Sequence, residues 1–271
     1  PWPRIVNPML RFPSTPEGLE ATLALERQAV VEIESAVAKH GHDIAALIIE
    51  PIQGEGGDNH FRAEFLKKLR DLADEHEFLL IFDEVQTGFG TTGKWWSFQH
   101  FGVEPDIFSF AKKTQVCGLA AGPRIDEVDS VFKISSRINS TWGGNLVDMV
   151  RCQRIIEVIE EEGLLANATE VGAHVVAGFR EFERLFPGKV TNGRGRGFFV
   201  AFDLPDTETR NRTLTALNDS DVLGLASGFV LMGMMYAPAL RQLPLSWNRR
   251  QAGHRLPGAV GRCLPDGRAH R

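Results

Sequence analysis

Residues 78–84 read FLLIFDE, a short run of large apolar side chains that ends in two carboxylates. Two other runs have the same form: AALIIE at 45–50, and DIFSFA at 106–111, which leads into two lysines. Short runs with apolar residues at consecutive positions are typical of strands that are buried on both faces, as in a parallel sheet. The sequence therefore predicts an α/β fold with a mostly parallel sheet flanked by helices.

Helical patterns lie around these runs. Ser14, Thr15, Pro16 and Glu17 provide a cap and an acidic first turn, which predicts a helix from there to about residue 39. Further helices are expected at 61–75, at about 144–162 and from there to about 186, and a strand at 197–204. Alternation of strands and helices is typical of doubly wound folds, which bind ligands beyond the carboxyl ends of their strands.

We predict three segments along the chain. Residues 1–162 form a sheet domain that is incomplete at its amino terminus, and residues 163–229 form part of a smaller α/β domain. Residues 230–271 hold seven Arg and one Asp, a local balance of +6, and show no helical or strand period. We expect this tail to be an aberrant, out-of-frame translation, so that the chain is a fragment.

Composition excludes several classes of protein. Of 271 residues, 43% are hydrophobic and 24% charged, which is ordinary for a soluble domain. The net charge of -5 includes no basic stripe, which argues against nucleic acid as a partner, and no apolar run is long enough for a membrane span. Three dispersed cysteines indicate neither a disulfide framework nor a metal site. We expect a cytoplasmic protein.

The three predicted strands all end in polar residues. Glu50 follows the first, Asp83 and Glu84 follow the second, and Lys112 and Lys113 follow the third. The carboxyl ends of parallel strands share one edge of the sheet, so acids and amines that are distant in sequence should meet there. Each residue alone is more often a helix cap or a surface group, but the combination is typical of an active site.

Four segments of the chain form a recognisable set: IIEPIQGEGGDNHF at 48–61, LLIFDEVQTGFGTTGKWW at 79–96, VEPDIFSFAKK at 103–113 and NSTWGGN at 139–145. In this order and spacing they resemble the class III aminotransferases. The resemblance covers nearly all of residues 1–229. It implies the fold type I architecture of transferases that depend on pyridoxal 5'-phosphate. It also implies that this cofactor is the catalytic group.

The resemblance also implies roles for individual residues. Lys112 would carry the cofactor; Lys113 is the alternative, but neighbouring strand side chains point to opposite faces, so only one can enter the site. A carboxylate at Asp83 would hold the proton on the cofactor ring nitrogen. Gln86 would hydrogen-bond the phenolic oxygen. Thr141 would reach the cofactor phosphate of a neighbouring subunit, which implies a homodimer.

Within the class, the sequence is most similar to enzymes that transfer the ε-amine of L-lysine to 2-oxoglutarate. The likeness rests on KKTQVCG at 112–118 and SRINSTWGGN at 136–145, and 4-aminobutyrate aminotransferases are the alternative. Such enzymes carry an acid at the position of Glu55, which pairs with an arginine and swings aside for 2-oxoglutarate. Glu50 is assigned to the substrate as well. The family's main phosphate-binding turn lies further toward the amino terminus, so we expect this chain to be inactive alone.

Two glycine-rich segments suggest other functions. GFGTTGK at 88–94 fits nucleotide-binding patterns, which makes a nucleotide-binding protein the alternative from another class. However, Trp95 stands where a P-loop needs Ser or Thr, and the segment neither follows a strand directly nor opens a helix. GRGRG at 193–197 precedes a predicted strand, so we interpret it as a turn into the smaller domain.

Overall fold

The computed structural model describes residues 2–55, 57–138, 144–219, 224–227 and 230–233. Five helices lie in these ranges: α1 (Pro16–His40), α2 (Ala63–Glu75), α3 (Leu146–Glu161), α4 (Leu164–Leu185) and α5 (Thr207–Asp219). The described strands are β1 (Ala46–Ile49), β2 (Ile52–Gln53), β3 (Asn59–His60), β4 (Leu79–Asp83), β5 (Ile107–Phe110), β6 (Gly118–Ala121), β7 (Thr191–Arg196), β8 (Phe199–Asp203), β9 (Gly224–Ser227) and β10 (Val230–Gly233). Within the described ranges, no helix is long and apolar enough to cross a membrane.

The first sheet has the strand order β1-β4-β5-β6. β1 pairs with β4, and β4 with β5, in parallel, with Ile48 opposite Ile81 and Asp83 opposite Ser109. The predicted parallel sheet is therefore confirmed. β6 pairs antiparallel with β5 at the edge, and the sequence did not indicate it because GLAA carries little apolar surface.

The main core lies between this sheet and the first two helices. Phe65 and Leu69 of α2 and Phe82 of β4 are almost completely buried, and full burial of one such side chain contributes about 1.5–3 kcal/mol. α1 begins as predicted: the Thr15 hydroxyl accepts a hydrogen bond from the Gly18 N–H at 3.1 Å, and Pro16 occupies the first turn. These elements fix the strand ends that carry the polar residues.

The second sheet is antiparallel, with the order β7-β8-β10-β9. Phe179 of α4 packs on Phe202 of β8 with their ring centroids 5.0 Å apart. The prediction of a turn at 193–197 is wrong, because Thr191–Arg196 forms β7 and the chain turns only after it. Its small glycines and hydrogen-bonded arginines gave no apolar strand pattern.

The segment after residue 229 begins inside this sheet. Val230–Gly233 forms β10, which pairs with both β8 and β9, and the Val230 side chain is buried. The predicted boundary between 229 and 230 thus falls between two paired strands. Residues 234–271 lie outside the described residues, and the proposed out-of-frame origin of the tail stays a prediction.

Candidate active site

The carboxyl ends of β1, β4 and β5 bring three of the predicted site residues to one edge of the sheet, and Glu55 acts on them from the loop after β2. Glu50 follows β1, Asp83 ends β4 and Lys112 follows β5, as expected from the parallel pairing. Burial raises the pKa of Glu50; the charges of Asp83 and Glu55 raise it further, whereas a hydrogen bond from Gly54 and the charge of Lys112 lower it. The four ionisable groups therefore share one electrostatic environment.

Asp83 is held in a fixed orientation. Its Oδ1 accepts a hydrogen bond from the Ser109 hydroxyl at 2.9 Å and another from the Val85 N–H at 3.0 Å. Oδ2 makes no hydrogen bond within the described part of the chain. Sequence reasoning missed Ser109, although a lone hydroxyl in the apolar run DIFSFA was a signal for it. One carboxylate oxygen is thus anchored while the other is available to a ligand.

The neighbouring carboxylate, Glu84, has a different environment. Its side chain is only 1% exposed. It accepts hydrogen bonds from the Thr87 hydroxyl at 2.5 Å, the Ser97 hydroxyl at 2.8 Å and the Phe98 N–H at 2.8 Å. Glu84 therefore joins the loop after β4 to the core and has no oxygen available for a ligand.

The two lysines differ, but not for the predicted reason. β5 ends at Phe110 and Lys112 lies in a 3-10 turn with a positive φ of 55°, so strand alternation does not apply to this pair. The Lys112 amine is exposed and makes no hydrogen bond or ion pair within the described residues. It acts electrostatically on Glu50, and so lies toward the carboxylates of the strand edge.

Lys113 is turned toward the loop after β4. Its Nζ donates a hydrogen bond to the Gln86 carbonyl oxygen at 2.6 Å. Burial, together with the charge of Lys112 and against the opposing charge of Glu84, lowers the pKa of Lys113 to about 8. Its depressed pKa favours a reactive neutral amine, whereas its hydrogen bond ties that amine to the backbone.

Gln86 lies against the loop that follows β1. A Cβ added to Gly54 would come within 3.2 Å of the Gln86 Cδ and 3.1 Å of the Phe199 ring, so a larger residue would require these side chains to shift by a few tenths of an ångström. Glycine at this position lets the Gln86 side chain pack against the loop without such a shift. Thr141, the predicted phosphate ligand, lies outside the described residues.

Glu55 lies at the exposed tip of the loop between β2 and β3. The far side of this loop is anchored by Arg194 of β7, which donates to the Asp58 carbonyl at 2.7 Å and also to the Gly57 carbonyl. Arg194 is 3% exposed and also forms an ion pair with Asp203 at 2.7 Å. Sequence reasoning missed this residue, because nothing local distinguishes a buried arginine from an exposed one.

The glycine-rich segment 88–94 has no free phosphate cradle. The Gly88 N–H donates to the Glu84 carbonyl, and the N–H groups of Phe89 and Gly90 donate to the Trp95 carbonyl. Trp95 is followed by the short 3-10 turn Ser97–His100 rather than by an α-helix. A P-loop needs unpaired backbone donors at the start of a helix, so the geometry argues against the nucleotide-binding alternative.

Comparisons with known proteins identify a family for the chain. The family model described as Aminotransferase class-III matches residues 2–240. An L-lysine-epsilon aminotransferase of Mycobacterium tuberculosis is 51% identical over 84% of this chain and 50% of its own length. Human mitochondrial 4-aminobutyrate aminotransferase is 34% identical over 82% of this chain and 45% of its own length.

A solved structure shows the same fold. The lysine aminotransferase from M. tuberculosis in the internal aldimine form superposes with a TM-score of 0.83 at 47% identity, covering 88% of this chain and 55% of that one. The chain therefore spans about half the length of these relatives.

Proposed function

Because the chain belongs to the class III aminotransferases, a family of fold type I, we propose that it is part of an enzyme that uses pyridoxal 5'-phosphate to transfer the ε-amino group of L-lysine to 2-oxoglutarate. The products would be 2-aminoadipate 6-semialdehyde and L-glutamate. The observation that carries the proposal is the meeting of Glu50, Asp83 and Lys112 at the carboxyl edge of the parallel sheet.

The side chains at this edge suit the cofactor chemically. Among the described residues, the Lys112 amine has no competing partner and one Asp83 carboxylate oxygen accepts no hydrogen bond. Gln86 offers an amide beside Gly54. An amine can hold an aldehyde, a carboxylate can hold a ring-nitrogen proton and an amide can donate to a phenolic oxygen. When bound, pyridoxal phosphate would supply an electron sink for the carbon that carries the substrate amine.

Lys112 and Asp83 would have separate tasks. Lys112 would hold the cofactor until the substrate amine displaces it, and its released Nζ would then move a proton at the substrate carbon. Asp83 would keep the ring nitrogen protonated, since a nearby carboxylate favours the charged form of a base. The hydrogen bonds from Ser109 and Val85 would hold Asp83 in place for this.

Glu55 and Glu50 would contact the substrates. L-lysine presents an ε-amine with no adjacent carboxylate, whereas 2-oxoglutarate presents a carboxylate beside its keto group, so one pocket must accept both. An exposed glutamate at a loop tip, such as Glu55, can change its partner between the two half-reactions. Arg194 would limit the movement to that tip, because it fixes the backbone of Gly57 and Asp58.

Lysine is favoured as the amino donor by the stronger similarity to lysine aminotransferases, at 51% identity against 34% for a 4-aminobutyrate aminotransferase. The alternative donor, 4-aminobutyrate, is therefore a control substrate. A homodimer that shares the site through Thr141, and a cytoplasmic location, remain part of the proposal.

The experiment is reconstitution of the 271-residue chain with pyridoxal 5'-phosphate, followed by borohydride reduction and peptide mass spectrometry. Wild type and Lys113→Ala should gain the cofactor mass on the peptide that contains Lys112, and Lys112→Ala should not. Glutamate formation from 2-oxoglutarate is then measured with L-lysine or 4-aminobutyrate as donor, in this chain and in a version extended with the missing segments of a relative.

The two readouts separate the parts of the proposal. Attachment at Lys113 alone would refute the assignment of Lys112, and absence of attachment in the extended version would refute the cofactor site. A preference of the extended version for 4-aminobutyrate would refute lysine as the donor while leaving the family chemistry intact.

A further inference from the structure

A cavity of about 580 Å³ lies away from the proposed active site. It is lined by the glycine-rich loop after β4, by α4 and by the end of β7. None of Glu50, Asp83, Gln86 and Lys112 lines it. Whatever this cavity binds is therefore separate from the strand-edge chemistry.

The charged groups around the cavity are all cationic. Lys94 of the loop, Arg180 of α4 and Arg196 of β7 line it, and no Asp or Glu of the described residues does so. Lys94 donates only to the Gln99 carbonyl, and Arg180 and Arg196 have neither an ion pair nor a hydrogen bond within the described part of the chain. Three cationic side chains therefore line one cavity without a counter-ion among the described residues.

Arg196 is the most constrained of the three. Its guanidinium lies 5.5 Å above the Phe101 ring, and its Nε is buried without a hydrogen-bond partner. The Phe101 ring therefore holds the guanidinium in place, and the side chain has no carboxylate partner among the described residues. A planar guanidinium fixed in this way is suited to binding an oxyanion.

His100 reports the positive potential in the cavity. Its Nε2 lies 3.1 Å from both the carbonyl and the hydroxyl oxygen of Thr92, and a hydrogen bond to the carbonyl requires the hydrogen on Nε2. Burial, followed by the charges of Arg196 and Lys94, lowers the pKa of His100 to about 4, against a smaller upward effect of the hydrogen bond to Thr92. A negative charge in the cavity would offset the two cations.

We propose that this cavity is a binding site for a small dianionic oxyanion, carried by a phosphate or dicarboxylate compound, with Arg196 at its inner wall and Lys94 and Arg180 at its rim. A doubly charged ligand matches three cations better than a single carboxylate does. Gly93, Gly172 and Gly197 also line the cavity, and their lack of a side chain lets the loop, α4 and the end of β7 pack closely around it.

The proposal does not depend on the proposed aminotransferase function. The cavity shares no residue with the strand edge, so a ligand can be tested without pyridoxal phosphate or substrate. The probes are inorganic phosphate and succinate, with acetate as the monoanionic control, titrated at pH 7.5 and constant ionic strength by calorimetry into the 271-residue chain. Constant ionic strength removes general screening as a cause of the signal.

Matched arginine variants identify the site. Arg196→Gln and Arg180→Gln should each weaken binding about tenfold, as expected for the loss of one charge-assisted hydrogen bond. Arg184→Gln is the control, because Arg184 lies one turn further along α4, pairs with Glu181 and does not line the cavity. Arg180 is exposed, so its variant stays informative even if Arg196→Gln impairs folding.

A second readout is the His100 ring resonance, assigned by comparison with His100→Gln. Bound phosphate or succinate should raise the pKa of His100, and this response should vanish in Arg196→Gln. Saturable binding of either dianion with these responses supports the site and identifies its chemistry. The proposal is overturned if neither dianion binds saturably, if acetate binds with equal affinity, or if Arg184→Gln loses as much binding affinity as the other two arginine variants.

Discussion

Arg194 and Lys112 illustrate two ways in which this chain treats charge. Arg194 is buried with four hydrogen bonds: to the carbonyls of Asn192, Gly57 and Asp58 and to the carboxylate of Asp203. Lys112 lies near Glu50 yet forms neither a hydrogen bond nor an ion pair within the described residues. The first arrangement stabilises the fold, whereas the second leaves charge available to a ligand.

The same contrast separates two adjacent residues of the chain. Glu84 uses both carboxylate oxygens within the protein, and Asp83 uses one. Asp83 ends β4 and Glu84 lies just beyond it, so a single chain segment supplies one carboxylate that the fold uses fully and one that keeps an oxygen for a ligand. Pairing within the fold, rather than residue type, therefore distinguishes stability from function here.

The largest expected effect comes from removing the paired charge. Arg194→Ala should lower the free energy of unfolding by about 3–5 kcal/mol, because it removes the closest cation of the buried Asp203. Within the described residues, Asp203 then keeps only Arg11 at 3.7 Å and the Asn192 amide. The variant also leaves the Gly57 and Asp58 carbonyls without this donor. The measurement is urea denaturation followed by circular dichroism. Lys112→Ala should change stability by less than about 0.5 kcal/mol, as expected for an exposed unpaired residue. Similar losses in the two variants would contradict the distinction drawn above.

Two glycines of α4 test how tightly the helix packs beside the cationic cavity. A Cβ at Gly172 would overlap the Gly197 carbonyl, whereas a Cβ at Gly178 would meet nothing within 4 Å. Gly172→Ala should therefore destabilise the protein by about 1–3 kcal/mol through overpacking. Gly178→Ala should stabilise it by about 0.5–1 kcal/mol, since alanine favours the helix. Thermal unfolding of both variants measures the difference, and equal shifts would mean that α4 does not pack closely on Gly197.

The sequence predicted the parts of the fold that depend on local pattern. The apolar runs before Glu50 and Asp83 and before Lys112 became parallel strands, and Thr15 caps α1 as expected. The strand-edge residues therefore followed from parallel pairing, and their chemical roles came from family resemblance. Those roles, including Gln86, remain predictions.

The remaining features depend on partners that are distant in sequence. Arg194 is buried because the carbonyls of Gly57 and Asp58, more than 130 residues earlier, surround it. β7 lacks an apolar pattern because hydrogen bonds to such partners replace hydrophobic burial. The separation of Lys112 from Lys113 depends on a 3-10 turn that begins one residue beyond the apolar run. No periodicity along the chain contains this information.

The smallest expected effect concerns His100, a neutral group beside unpaired cations. Its pKa is lowered from 6.5 to about 4 by burial and by Arg196 and Lys94. Between pH 6.5 and 4 the unfolded chain binds a proton at this position and the folded chain does not, so stability falls as the pH falls through this window. Because the ring is only half-buried, we expect a loss of about 1 kcal/mol between pH 7 and 5, less than the full shift would give.

His100→Gln should remove this part of the pH dependence, and His174→Gln, at an exposed position of α4, should leave it unchanged. Urea denaturation at pH 7, 6 and 5 measures the difference between the profiles. Saturating phosphate should flatten the wild-type profile in the same way, because an anion beside Arg196 and Lys94 restores the affinity of His100 for a proton. If the wild-type and His100→Gln profiles are the same without phosphate, the cations do not act on His100. The cavity would then not differ electrostatically from the surroundings of Arg194, where the charges are paired.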